Sequence, residues 1–222
     1  MIILLHGEEE YCSREECSRI EKKYNDTYRR INFFKIDWSS KIYTPADLKG
    51  ILGSHSLFHE KKLVVVEHAF SDKKSIEALT LMIRDEQSTM GNVATLVFYE
   101  SVLVPPARVA LASDFAKIYE FKKMTGSQIS RWIEKEVRLE GGAIDAASIS
   151  LLAGILEGDL FKIKNEIIKL VNFNPCISKS AIEALVEGER EASIFEMLDH
   201  MNAHNARGAF SSLERLLAGG ES

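Results

Sequence analysis

Cysteine is scarce, with three residues in a chain of 222. A disulfide framework needs paired thiols, so this usage argues for a reducing compartment. Long apolar runs are missing as well. The longest reach about five residues, against the ~20 that a membrane-spanning helix requires. The opening Met1 to Gly7 carries no basic residue ahead of its apolar stretch and is too short for a secretion signal. Basic charge is not in excess either: 28 lysines and arginines face 33 acids, for a net charge of −5. That balance gives no electrostatic footprint for nucleic acid. No internal repeat and no low-complexity segment is evident. What is present, at 45% hydrophobic residues, is enough for one or two globular domains with a core.

In the first half, strand-like and helix-like segments alternate. Ile2 to Leu5, Ile31 to Ile36, Leu63 to Val66, Ala94 to Tyr99 and Ala116 to Phe121 read as strands. Ser13 and Glu16 read as a capping box ahead of Cys17, Ile20 and Tyr24 at helical spacing. Thr44-Pro45 opens a helix, and Ile76, Leu79, Met82 and Ile83 mark another. The alternation implies an α/β domain with a mostly parallel sheet covered on both faces.

After Met124 the rhythm becomes helical, and no strand is expected. Three stripes follow: Ile129, Trp132, Ile133 and Val137; Ile149, Leu152, Ala153 and Leu156; Leu160, Ile163, Ile167 and Leu170. Ser180 with Glu183, and Ser193 with Glu196, read as caps of two more helices. A last helix carries Ala209, Phe210, Leu213, Leu216 and Leu217. The expected division is 1–124 for the α/β domain, 125–205 for a small all-helical domain, and 206–222 for a helix running into Gly-rich, linker-like text.

A strand, a glycine and a helix at the start suggest a phosphate-binding loop. Its motif, G-x-x-x-x-G-K-[ST], uses backbone amides, a lysine and a hydroxyl to hold phosphate and magnesium. Here the text from Gly7 is three glutamates, Tyr11, Cys12, Ser13 and Arg14. Cys12 replaces the second glycine, Ser13 the lysine and Arg14 the hydroxyl residue, and the glutamates repel phosphate. The third strand ends in Glu67-His68, which lacks a loop lysine to complete a site. The loop is expected to be empty of nucleotide, with no cofactor.

Other candidate chemistry is weaker. Cys12 and Cys17 are loosely spaced for a zinc pair, Cys176 is alone, and Cys17 on its apolar stripe reads as a buried structural thiol. His200 and His204, with Asp199 adjacent, have metal-ligand spacing but no obvious third ligand, so no metal is expected. Lys61-Lys62 and Lys122-Lys123 read most simply as strand flanks, with phosphate contact as the alternative. An isolated Leu57-Phe58 pair precedes the third strand.

Taken in order, "LLHGEEEY", "SLF" before "KKLVVVEHAF", "LVFYES", "ISRWIEKEVRLEGGAID", "LEGDLFKIKNEIIKL" and "ASIFEMLDHMNAHNARGAFSSLERLLAGGES" resemble the delta subunit of bacterial DNA polymerase III, over essentially the whole chain. The resemblance implies an AAA+-like, P-loop NTPase-type sheet domain with a degenerate nucleotide site, then a helical lid. It implies that a helical collar domain is missing, as in a fragment of a longer protein, with an unusually short relative as the alternative. The implied function is a cytoplasmic clamp-loader subunit that binds and opens the ring-shaped sliding clamp without hydrolysing ATP, and that belongs to the DNA-directed DNA polymerase complex. The implied partners are the beta sliding clamp and the tau/gamma and delta prime subunits, with DNA contact indirect or weak and no membrane. By motif match, the clamp-gripping residues are Leu57 and Phe58, with Ser56 beside them.

Helix geometry bears on that pair. If the helix opened by Thr44 continues, Leu57 points about 180° from Leu48 on its apolar stripe, and Phe58 lies about 80° off it. An exposed pair of this kind is the usual anatomy of a binding hot spot. The alternative is a plug folded under the third strand. Two other functions stay open at this point: an ATPase with an atypical loop, and a DNA-binding module using Lys122, Lys123 and Arg131.

Overall fold

Five short apolar segments pair into one parallel sheet, in the spatial order β2-β3-β4-β1-β5. They are β1 (Ile2–Gly7), β2 (Phe33–Asp37), β3 (Lys62–Glu67), β4 (Ala94–Tyr99) and β5 (Lys117–Phe121). The computed structural model describes residues 1–29, 31–54, 61–90, 94–186, 200–201 and 205–218. It divides into two units, Met1–Met124 and Thr125–Ser222.

The first unit interleaves α1 (Glu10–Tyr28), α2 (Pro45–Gly53), α3 (Lys73–Met90) and α4 (Pro106–Ala112) with the strands. Strand alternation sorts the core by face. Ile2, Leu4, Val64, Val66, Leu96 and Phe98 pack with residues of α2, α3 and α4. Ile3, Leu5, Leu63, Val65, Val97 and Tyr99 pack with Cys17 and Tyr24 of α1. The unit is thus an α/β domain with a parallel sheet that has helices on both faces, as the alternation of segments implies.

Two local readings change. The opening of α2 is as expected: the Thr44 hydroxyl accepts from the Asp47 amide at 3.3 Å, Asp47 accepts from the Thr44 amide at 2.8 Å, and Pro45 starts the helix. The opening of α1 is not. It begins at Glu10 with Glu9 at the cap, so Ser13 and Glu16 form no capping box. Ser13 is buried and donates to the Glu10 carbonyl at 3.1 Å, while Glu16 pairs with Arg19 at 2.6 Å. The cause is the short turn after Gly7, which brings the chain into helix within two residues. Helix α4 was not anticipated; Pro105-Pro106 starts it.

The second unit contains α5 (Gly126–Leu139), α6 (Ala146–Ile155), α7 (Leu160–Phe173), α8 (Lys179–Leu185) and α9 (Ala206–Ala218). The buried stripe of α7 is Leu160, Ile163, Ile167 and Leu170, as its spacing requires. The expectation of no strand is corrected by a parallel pair of two-residue strands, β6 (Ala143–Ile144) and β7 (Cys176–Ile177). At its start the Ala143 amide donates to the Pro175 carbonyl at 2.7 Å. The cap of α8 is Ser178 rather than Ser180, and Glu183 pairs with Lys179. Ser193 and Glu196 lie outside the described residues. Buried Glu136 on α5 meets Lys164 on α7 at 2.7 Å, and Lys164 also meets Glu140 at 2.8 Å. Burial pulls the Lys164 pKa down, but the two carboxylates outweigh it and hold the ammonium charged.

Candidate functional site

The turn between β1 and α1 contains only Glu8 and Glu9. Gly7, at φ 153°, closes against β5 so tightly that a Cβ there would collide with the Phe121 backbone. Three of the amides in the stretch where a phosphate loop would hold its ligand are bonded to protein carbonyls here. Gly7 N–H donates to the Val102 carbonyl at 3.3 Å, Glu9 N–H to Phe121 at 3.0 Å, and Ser13 N–H to Glu9 at 3.2 Å. Cys12, Ser13 and Arg14 sit in the first turns of α1 instead of in a loop. The Arg14 guanidinium donates to Glu10 at 2.9 Å and lies 5.7 Å from the centre of the Tyr99 ring. Burial pushes the hydroxyl pKa of Tyr99 up.

The neighbouring strand ends are tied down as well. Glu67 is 3.0 Å from Lys35, which also lies 3.6 Å from Glu21. His68 adopts φ 60° and sits 3.1 Å from Asp37. Asp37 is held below the usual carboxylate range, first by Ser39 and then by His68. Glu100, just past β4, is 2% exposed and accepts from the Phe70 amide at 2.8 Å. Burial pushes its pKa up to about 7. Arg108 donates to the carbonyls of Phe70 at 2.8 Å and Ser71 at 2.6 Å. Lys35, Tyr99, Glu100 and Arg108 were not singled out by the sequence. Glu100, an acid directly after a mostly apolar strand, is the one that carried a signal.

Among the described residues, the remaining sequence candidates do not converge. Cys17 is buried, and burial followed by Glu21 pushes its thiol to about 12, so it is inert. Cys12 is half-buried and Cys176 exposed. His200 lies 3.3 Å from the Asn205 side chain, while His204 and Asp199 fall outside the described residues. Among the described residues, no group of three or more His, Cys, Asp or Glu is placed to hold a metal. Lys122 is 4.0 Å from Glu120, Lys123 is exposed, and Arg131 donates to the Ser127 carbonyl at 3.2 Å. No described helix is long and apolar enough to cross a membrane.

Ser56, Leu57 and Phe58 lie outside the described residues, but both flanks of that segment are defined. Helix α2 ends at Gly53, and Ser54 turns extended at φ −65°, ψ 133°. The helical projection from Leu48 therefore stops short of Leu57, and the angular argument for the pair does not apply. The physical reason is Lys62. It is 1% exposed, and its ammonium donates to the Ile51 carbonyl at 2.7 Å, the Ser54 hydroxyl at 2.6 Å and the Ser54 carbonyl. A cation at the last carbonyls of a helix satisfies orphan acceptors and complements the dipole. Burial lowers the Lys62 pKa. What read as a strand flank is a buried tie between the end of α2 and the start of β3.

No protein-family model matches the chain. A probable DNA polymerase III subunit delta of Aquifex aeolicus (strain VF5) is 22% identical over 234 residues, which take in 99% of this chain. The chain spans 64% of that protein's length. The DNA clamp loader delta protein of Bacillus subtilis superposes over 100% of this chain and 68% of its own, with a TM-score of 0.65 at 21% identity. The RuvB Holliday junction branch migration motor of Thermotoga maritima covers 91% of this chain and 69% of its own, with a TM-score of 0.50 at 16% identity. In sequence over nearly its whole length, and in fold, the chain is thus similar to the delta subunit of bacterial DNA polymerase III.

Proposed function

We propose that this chain serves in loading a ring-shaped sliding clamp during DNA replication. In this reading Leu57 and Phe58, with Ser56 beside them, enter a pocket on the clamp, and the chain hydrolyses no ATP itself. The observation that carries it is similarity to a delta subunit along 99% of the chain. The turn after Gly7 supports the second half. The Gly7 and Glu9 amides are bonded to the Val102 and Phe121 carbonyls, and Glu67 is engaged by Lys35.

Opening the ring follows if the chain binds one clamp boundary better in a strained shape than in the closed one. A ligand shifts an equilibrium only by its differential affinity for the two states. The partners in this reading are the beta clamp and the tau/gamma and delta prime subunits, with DNA contact indirect, in the cytoplasm. Residues 1–124 grip the clamp and 125–205 act as a lid.

The test is a calorimetric titration of the 222-residue protein against the sliding clamp of the same organism. Replacing Leu57 and Phe58 with alanine is expected to cost about 2–4 kcal/mol of binding, as hot-spot truncations do. Unchanged affinity sinks the assignment of those residues. ATP titrated into the same protein is expected to give no saturable heat.

A further inference from the structure

Among the described residues, the sheet face under α1 is only partly covered. Among the described residues, α1 is the helix whose buried side chains join that face's core, whereas three helices cover the other face. Beside α1, at the starting ends of β1, β3, β4 and β5, lies a cavity of about 480 Å³. That is within the usual range of ligand-sized recesses, roughly 300–1,000 Å³. Ile3, Ile20, Leu63, Tyr28 and Tyr119 give it an apolar lining.

Its rim has the opposite charge to the molecule. The whole chain is net −5, yet Arg19, Lys23, Lys61 and Lys117 line this recess against one acid, Glu16. Glu16 is already bonded to Arg19 at 2.6 Å. Lys23, Lys61 and Lys117 form no ion pair among the described residues. Lys117 instead sits 5.0 Å from the centre of the Tyr119 ring. An anionic partner is therefore drawn to this recess and repelled by much of the remaining surface.

We propose that the recess docks an acidic peptide segment of a partner protein, with an apolar side chain in the cavity and carboxylates against the lysine rim. Single-stranded nucleic acid fits less well, because it needs open aromatic faces along a basic track. Here Lys117 lies over Tyr119, Tyr28 is half-buried with its ring centre 5.0 Å from that of Tyr24, and Tyr24 is buried, its hydroxyl 2.5 Å from the carbonyls of Ile31 and Lys61. A recess lined by isoleucine, leucine and tyrosine takes an anchoring side chain, and Lys23, Lys61 and Lys117, which form no ion pair among the described residues, take its charged neighbours.

The test is fluorescence anisotropy of the labelled hexapeptide Asp-Glu-Phe-Asp-Glu-Leu with the 222-residue protein. Saturable binding that weakens with salt is expected. Lys23→Glu with Lys117→Glu weakens it about tenfold through the rim. Thr95→Phe, which fills the cavity while leaving the rim in place, abolishes it. Circular dichroism melts confirm that each variant is folded. Leu57→Ala with Phe58→Ala leaves the peptide affinity unchanged, which separates this site from the proposed clamp anchor. Non-saturable binding, indifference to both changes, or stronger binding of an oligothymidylate than of the peptide overturns the proposal.

Discussion

Lys62 is as hidden as the valines that follow it, yet it carries a charge. Its three N–H groups satisfy acceptors of Ile51 and Ser54 that the end of α2 leaves open. Lys62→Met keeps the stem and removes the donors. It is expected to cost about 1–3 kcal/mol, since buried acceptors are left without partners. Urea unfolding measures the loss, and hydrogen exchange at residues 50–54 should quicken with it. Unchanged stability and exchange would show that the tie is dispensable. Glu100 makes the opposite contribution. Its folded pKa is about 7 against an ordinary 4.5, so between those values the folded state holds a proton that the unfolded state has released. Stability from this group is therefore full below about pH 4.5 and declines as pH rises through about 7, by at most about 3 kcal/mol. Glu100→Gln keeps the acceptor for the Phe70 amide and removes the ionisation. The variant should be the more stable protein at pH 8, and its melting temperature should lose this part of the pH dependence. A wild-type melting curve that instead rises between pH 5 and 8 and is copied by the variant would contradict this account.

At the scale of elements, the strands and the stripe on α7 were legible because each rests on a repeated pattern. Ala94 to Tyr99 is a strand from end to end, and the four apolar residues of α7 are the four that are buried. The two-residue β6 and β7 were not legible, because two residues cannot display a period. The start of α1 was misplaced because Ser13 and Glu16 imitate a cap, while the real start depends on Gly7 meeting Phe121, a contact over a hundred residues away in sequence. Leu57 and Phe58 came from resemblance, and the end of α2 at Gly53 removes the helical projection that accompanied it. The same turn governs the nucleotide question. Converting Cys12 to Gly, Ser13 to Lys and Arg14 to Thr writes the missing motif back into the text. It does not free the amides of Gly7 and Glu9 from their carbonyl acceptors, nor does it lengthen the turn. The triple variant is accordingly expected to show no saturable heat with ATP and magnesium in calorimetry. Saturable binding would mean that side chains alone closed the site.

For the whole molecule, the division after Met124 separates the proposed anchor from the helical unit. Both faces of the sheet have their cores within the first unit: every member of the two clusters, from Ile2 to Phe121, lies there. The second unit has its own buried set, running from Trp132 to Val186, and its own Glu136–Lys164–Glu140 ion network. A unit with a self-contained core folds by itself in the usual case. If Ser56, Leu57 and Phe58 carry the grip on the clamp, the first 124 residues should be sufficient for it. Residues 1–124 expressed alone should melt cooperatively by circular dichroism and bind the sliding clamp within about threefold of the full chain, a difference below ~1 kcal/mol. The complementary piece, 125–222, should not bind at all. A folded first unit that loses the clamp would move the grip into the helical half, and would leave the Leu57-Phe58 pair without its proposed role.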